Sequence, residues 1–241
     1  INVSGLNNDG VFVKGGTFKD YETQYNVSGN GREDTGNNGI SATGGQTTLY
    51  ADHFDISGTH NNGIASSVSG NANFVVKGAT INVNDSSNNG IIVAGGGGIS
   101  LNHDPYNPVA SGGGVWRWNT INVNGHDNNG LYVAKGTSDI YATNIIVNGN
   151  ANNTANNRGI LVGSEYGEDA SITIGASSIN ADNTNGSGSG IYLYAGDITF
   201  NTPSNGQTVN ISGNGSDTLL VVDAAGGKAT TTGTPLTASN T

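Results

Sequence analysis

An all-β fold, a right-handed parallel β-helix of about eight coils with three short strands in each, is predicted by three features of the sequence. Of its 241 residues, 40 are Gly and 37 are Asn, about a third of the chain, and both are poor helix formers. Apolar residues recur in short alternating clusters such as Ile81-Asn82-Val83, which is the period of a half-buried strand. A solvated Gly-rich linker would not need such clusters. The same short marks return along the whole chain at spacings of 24 to 40 residues, about 30 on average. That leaves no room for crossover helices and fits a solenoid in which each unit is one coil.

The first strand of each unit reads apolar, Asn, apolar, Ser or Asn, often Gly. It recurs at Ile1, Tyr25, Phe54, Ile81, Ile121, Ile145, Ile179 and Val209. The second strand opens with a marker Gly followed by an apolar residue, as in Gly39-Ile40, Gly63-Ile64, Gly90-Ile91, Gly130-Leu131, Gly159-Ile160 and Gly190-Ile191. The third is a looser run such as Thr48-Leu49-Tyr50, Asn73 to Val76, Ile172-Thr173-Ile174 or Ile198-Thr199-Phe200. Alternation turns Ile81 and Val83, Ile121 and Val123, and Ile145 and Val147 inward on one sheet. Ile91 and Val93, Leu131 and Val133, and Ile160 and Val162 turn inward on another. Two places before the marker Gly stands an Asn, at Asn8, Asn37, Asn61, Asn88, Asn128 and Asn157. This position is expected to be a structural amide-to-amide ladder, with Asn and the Gly after it accepting a left-handed backbone. Eight coils stacked at roughly 4.8 Å make a rod on the order of 40 Å long.

The domain organisation follows: residues 1–225 form a single β-helix domain, and residues 226–241, rich in Thr and Gly, read as a tail or linker. One interval stretches to 40 residues and holds an insertion loop, 102–118, with both tryptophans and two of the four prolines. Formal charge is −10 and no stretch concentrates Lys or Arg, which argues against nucleic acid. There is no Cys, so neither disulfides nor thiolate metal sites are expected, and no cofactor is indicated. No apolar run reaches the roughly 18 residues of a membrane-spanning helix. The opening residues lack the features of a signal peptide and look like the middle of a repeat, so the chain is expected to be a piece of a longer protein.

The Asn-Asn-Gly-Ile marks with alternating apolar residues, the Asn- and Ser-rich strands, the acidic balance and the absence of Cys resemble the secreted passenger domain of a Gram-negative autotransporter, adhesin type, over nearly the whole chain. That resemblance implies display at the bacterial cell surface or outside the cell. The membrane link would run only through a translocator barrel that these residues do not include. It also implies adhesion, aggregation or biofilm formation as the role, with virulence as the setting. A protease passenger would be expected to carry a Gly-Asp-Ser-Gly-type motif, and the sequence has none.

Two surfaces and one loop are candidates for function. On the first strand the outward positions include Asn26, Asp55, Asn82, Asn122, Asn180 and Asn210, and two residues on lie Asn84, Asn124 and Asn148. This two-column polar face is the candidate for homotypic, cell-to-cell self-association, because amides exchange hydrogen bonds without the desolvation of charges. On the second strand the outward positions run Phe12, Ser41, Ala65, Ile92, Tyr132, Leu161 and Tyr192, with Tyr194 one pleat further. An apolar and aromatic stripe suits host or matrix glycans and proteins. The insertion adds Tyr106, Trp116, Arg117 and Trp118, residue types enriched at binding hot spots.

The alternative of another class is a polysaccharide lyase or glycoside hydrolase on the same scaffold. Such an enzyme needs paired carboxylates, or a Ca²⁺ cluster with a basic partner. Here Asp52 and Asp55 lie near His53, and Glu165, Glu168 and Asp169 share one turn, with no matching acidic column in neighbouring coils. The four His, at 53, 60, 103 and 126, lack metal-ligand spacing. The expectation is therefore a protein without catalytic activity or bound metal.

Overall fold

Strict alternation of apolar and polar residues needs a buried and a solvated side on every strand, and three parallel sheets provide both. The computed structural model describes residues 1–32, 36–102, 117–148, 156–163, 170–182, 188–202, 209–213, 218–222, 228–233 and 237–240. Sheet A contains Asn2–Val3, Gln24–Val27, His53–Ile56, Thr80–Val83, Asn119–Val123, Thr143–Asn148, Ser178–Asp182, Asn210–Gly213 and Thr237–Asn240. Sheet B contains Asp9–Val13, Asn38–Ala42, Asn62–Ser66, Asn89–Val93, Asn129–Val133, Arg158–Val162, Ser189–Leu193 and Thr218–Val222. Sheet C contains Thr17–Tyr21, Gln46–Tyr50, Asn73–Lys77, Gly98–Asn102, Gly136–Ile140, Ala170–Ile174, Asp197–Thr202 and Lys228–Gly233. Neighbours within a sheet are three strands apart in sequence and parallel, so the chain winds A, B, C and begins again one coil higher. This is the three-strand parallel β-helix that the repeat predicts.

The inward columns form one continuous core. Ile81 pairs with Phe54 on one side and Ile121 on the other, and all three are essentially inaccessible to solvent. Tyr25 stacks on Phe54 with ring centroids 4.6 Å apart, which puts two large rings where other coils place Ile. Removing a core isoleucine such as Ile121 would cost about 2–5 kcal/mol, so burial along the axis is the main source of stability.

At the turn from sheet A to sheet B, buried Asn side chains join successive coils mainly through backbone groups, with one amide-to-amide bond of the kind expected, from Asn37 Nδ2 to Asn61 Oδ1 at 3.2 Å. Asn88 Oδ1 accepts the backbone N–H of Asn61 at 2.7 Å. Asn88 Nδ2 donates to the carbonyls of Gly58 at 2.9 Å and Asn84 at 2.6 Å, and Asn128 Oδ1 accepts the N–H of Asn88 at 2.7 Å. The same arrangement holds for Asn37 and Asn61. Backbone groups at a buried corner have no ladder partner and must be satisfied by a side chain with both donor and acceptor. The left-handed residue is the one before, at Asn7, His60, Ser87 and Asp127. A more regular amide-to-amide stack runs along the next position, where Asn62, Asn89 and Asn129 each donate to the preceding Asn at 2.9 Å.

The marker glycines also serve a purpose other than the one expected, since none of them has positive φ. A Cβ at Gly90 would lie 2.6 Å from the carbonyl oxygen of Gly130 and 3.0 Å from Ile81 Cγ2. Glycine is required there because sheet B passes directly against the core side chains of sheet A.

The segment 226–241, expected as a tail or linker, contributes Lys228–Gly233 and Thr237–Asn240, which pair with Asp197–Thr202 and Asn210–Gly213. Lys228, Ala229, Thr230 and Thr231 are exposed. The stretch has little apolar content beyond Ala229, Leu236 and Ala238, which is why composition reads it as a tail, yet backbone pairing carries the sheets into it. Of the insertion, residues 103–116 lie outside the described residues.

Candidate functional site

The polar face of sheet A forms as two columns. Backbone register lines up Asn2, Asn26, Asp55, Asn82, Asn122, Ile146 and Asn180, each half-buried except the exposed Asn2. Asn26 donates to Asn2 at 2.7 Å, Asn82 to Asp55 at 2.7 Å and Asn122 to Asn82 at 2.8 Å. The ladder stops at Ile146, which carries no polar atom. In the second column Asn124 donates to Asn84 at 3.0 Å and Asn148 to Asn124 at 2.8 Å. A side-chain amide has two N–H groups and two oxygen lone pairs, so Asn124 inside its ladder keeps one donor and one acceptor for a partner, while Asn82 Nδ2 also lies 3.4 Å from His53 Nε2.

Asn210 falls outside this set. It pairs with Ser178, while Ser212 pairs with Asn180, so the match of Val209-Asn210-Ile211 to Ile179-Asn180-Ala181 is out by two residues. A two-residue slip preserves which face each side chain takes, and alternation alone therefore does not detect it. Asn210 belongs to the neighbouring outward column with Asn144 and Ser178.

On sheet B, Phe12, Ser41, Ala65, Ile92, Tyr132, Leu161 and Tyr192 form one unbroken column in register. Phe12 is exposed, Ala65 is buried and the others are half-buried. The drop in size from Phe12 to Ser41 and Ala65 opens a hollow of about 240 Å³. Arg158 lies over the Tyr192 ring, 5.0 Å from its centroid. Tyr194 sits just past its strand, one pleat further along, half-buried.

At the turn from sheet C to sheet A the structure joins residues that are far apart in sequence. A groove of about 380 Å³ runs beside the outward column His53, Thr80, Thr120, Asn144 and is also lined by Arg117 and Trp118. Trp118 is 39% exposed. Tyr106 and Trp116 lie outside the described residues, as do His103, Glu165, Glu168 and Asp169.

Beneath the groove is Asp52, 1% exposed. Its Oδ1 accepts the N–H of Thr23 at 2.7 Å, and its Oδ2 is buried without a partner. Burial pushes its pKa up to about 7, and the charges of Asp20 and Glu22 act in the same direction. Two coils on, Asn119 holds the equivalent corner: its Oδ1 accepts the N–H of Ala79 at 3.0 Å and its Nδ2 donates to the carbonyl of Asn102 at 2.8 Å. Nearby, the Tyr25 hydroxyl donates to Asp20; burial first, and then this hydrogen bond, hold the phenol well above its ordinary range. His53 Nε2 lies 3.0 Å from Asp55 Oδ2.

A further column escapes sequence reasoning. Tyr21, Tyr50 and Lys77 are in register at the outer end of sheet C. The two tyrosine rings stack at 4.7 Å, and Lys77 Nζ lies 5.2 Å from the Tyr50 centroid. Both faces of Tyr50 are thereby covered. The recurrence of Tyr at the end of the third strand was the available signal. Among the described residues, no group of three His, Cys, Asp or Glu side chains is placed to hold a metal, and no helix is long and apolar enough to cross a membrane.

No protein-family model matches the chain and no curated protein matches it. Among solved structures it is similar to the TibC-catalyzed hyper-glycosylated TibA fragment, with 13% identity over 96% of this chain and 99% of that one and a TM-score of 0.13. The three parallel sheets and their register define the fold.

Proposed function

We propose that this β-helix is a non-catalytic adhesion module, displayed on a bacterial cell or released outside it, that acts by presenting long repetitive surfaces. The observation that supports this most is the laddered face of sheet A. Its amides are held in fixed rows by their own hydrogen bonds, so little side-chain entropy is lost on contact, and each retains unused hydrogen-bonding capacity. Two such rods side by side exchange neutral hydrogen bonds, which avoids the desolvation of ions. Asp55 is the exception on the face and is already held by His53 and Asn82. Homotypic association of this kind produces cell aggregation and biofilm.

The experiment is sedimentation velocity over a range of concentration, with Asn122→Lys plus Asn124→Lys as the variant. Wild type should shift to faster species as concentration rises, and the variant should stay monomeric. A wild-type chain that remains monomeric throughout would remove this reading.

A second reading within the same class is capture of host or matrix proteins and glycans by the sheet B column. Its uninterrupted run of Ile92, Tyr132, Leu161 and Tyr192 favours it. The non-catalytic reading has its own support: Asp52 is used as a corner bracket and Asp55 is tied to neighbouring side chains. Release of reducing ends or unsaturated products from a polysaccharide would overturn it.

A further inference from the structure

The groove at the turn from sheet C to sheet A has a composition unlike either of the repetitive faces. Its row of His53, Thr80, Thr120 and Asn144 comes from four successive coils and presents an imidazole, two hydroxyls and an amide along about 14 Å, three inter-strand steps of roughly 4.8 Å. Gly78 also lines the groove, and its missing side chain lets a ligand approach the backbone there. Trp118, 39% exposed, contributes an indole, and Arg117 contributes a guanidinium beside it. A concave row of hydroxyl and amide groups next to an aromatic ring matches the two aspects of a pyranose, whose edge carries hydroxyls and whose face is apolar.

Charge narrows the ligand further. The chain carries a formal −10, and Asp55 stands next to the row, within 3.0 Å of His53. A polyanion would meet that field with Arg117 as its main attraction in the groove, whereas a neutral glycan is indifferent to it.

We propose that this groove is a subsite for a short run of neutral pyranose rings lying along the rod axis, stacked on Trp118 and hydrogen-bonded by Thr80, Thr120 and Asn144. The site lies beside the laddered columns of sheet A and does not include them, so it stands whether or not the rods self-associate.

The test is calorimetric titration of the full chain with hexasaccharides of the cello-, xylo- and manno- series, and with an acidic hexasaccharide of hyaluronan. At least one neutral hexasaccharide should bind. Trp118→Ala should weaken it at least about tenfold, and the shape-conserving pair Thr80→Val and Thr120→Val should do the same. The sheet A variant, Asn122→Lys plus Asn124→Lys, should bind it as wild type does. Far-UV circular dichroism checks that each variant is folded, and the valine pair keeps the test open if the alanine variant is not. Concentration-dependent sedimentation of Trp118→Ala should match wild type, which separates failure of this site from failure of the self-association face. The proposal is overturned if no hexasaccharide binds, if only the acidic one binds, or if the folded groove variants bind as wild type does.

Discussion

Replacing Asp52 by Asn should leave stability unchanged near pH 4 and raise it at pH 8. Asp52 is buried, with one oxygen receiving the Thr23 N–H and the other unpartnered. Its pKa is raised from 3.8 to about 7. For an acid shifted upward the folded state resists ionisation. The native chain is therefore at its best below the unfolded pKa and loses stability as pH climbs through the folded one. At about 1.4 kcal/mol per pH unit across that window, the loss amounts to a few kcal/mol. Asn keeps the acceptor for Thr23 and replaces the unpartnered oxygen with a donor. At the equivalent corner Asn119 directs that donor to the carbonyls of Asn102 and Val76, and the matching carbonyls for position 52 are those of Tyr50 and Asp20. The assay is urea unfolding of both proteins at pH 4, 6 and 8, with exchange of the Thr23 amide proton as a local readout. The gap between variant and wild type should open between pH 4 and 8. Parallel pH profiles, or a variant less stable than wild type at pH 8, would refute the reasoning.

Gly63→Ala would place a Cβ 2.6 Å from the Gly90 carbonyl oxygen and 2.9 Å from Ile56 Cδ1; a loss of about 1–3 kcal/mol is expected in denaturant unfolding. Gly15→Ala, with nothing within 4 Å, should change stability by less than about 0.5 kcal/mol. Asn88→Ala strips the Asn61 N–H and the Asn84 carbonyl of their buried partner, and about 2–5 kcal/mol should be lost, visible as faster exchange of the Asn61 amide. Ile146→Asn fills the gap between Asn122 and Asn180. Concentration-dependent sedimentation should then begin at lower protein concentration, and an unchanged onset would count against the sheet A face as the contact.

Strand positions and inward residues were legible in the sequence because burial imposes alternation, and alternation is visible in one dimension. Ile81, Ile121 and Ile145 could be placed from their neighbours in the chain alone. The function of the marker residues was less legible, since different constraints select the same amino acid. A glycine at position 90 looks like a turn residue, yet the constraint on it is the nearness of the Gly130 carbonyl and Ile81, which only stacking reveals. Asn88 carries a similar ambiguity: stacking on other amides and bracketing a backbone corner both call for an Asn. Asn210 shows a limit of periodicity, because a slip of two residues leaves every face unchanged. The groove was least legible. His53 and Trp118 belong to coils separated by dozens of residues, and neither segment carries a mark of the other.

The corner Asn residues have a consequence for how a protein of this kind varies in size. Asn61 and Asn88, 27 residues apart, occupy equivalent corners, each preceded by a left-handed residue, His60 or Ser87. Deleting Asn61 to Ser87 would therefore join His60 to Asn88 with every backbone partner at the seam replaced by its counterpart. It would remove one strand from each sheet and shorten the molecule by a single step of roughly 4.8 Å. Whole turns of the solenoid are in this sense interchangeable parts. Recombination between similar stretches of the coding sequence can lengthen or shorten the reach of such a protein while leaving the chemistry of its remaining surfaces intact.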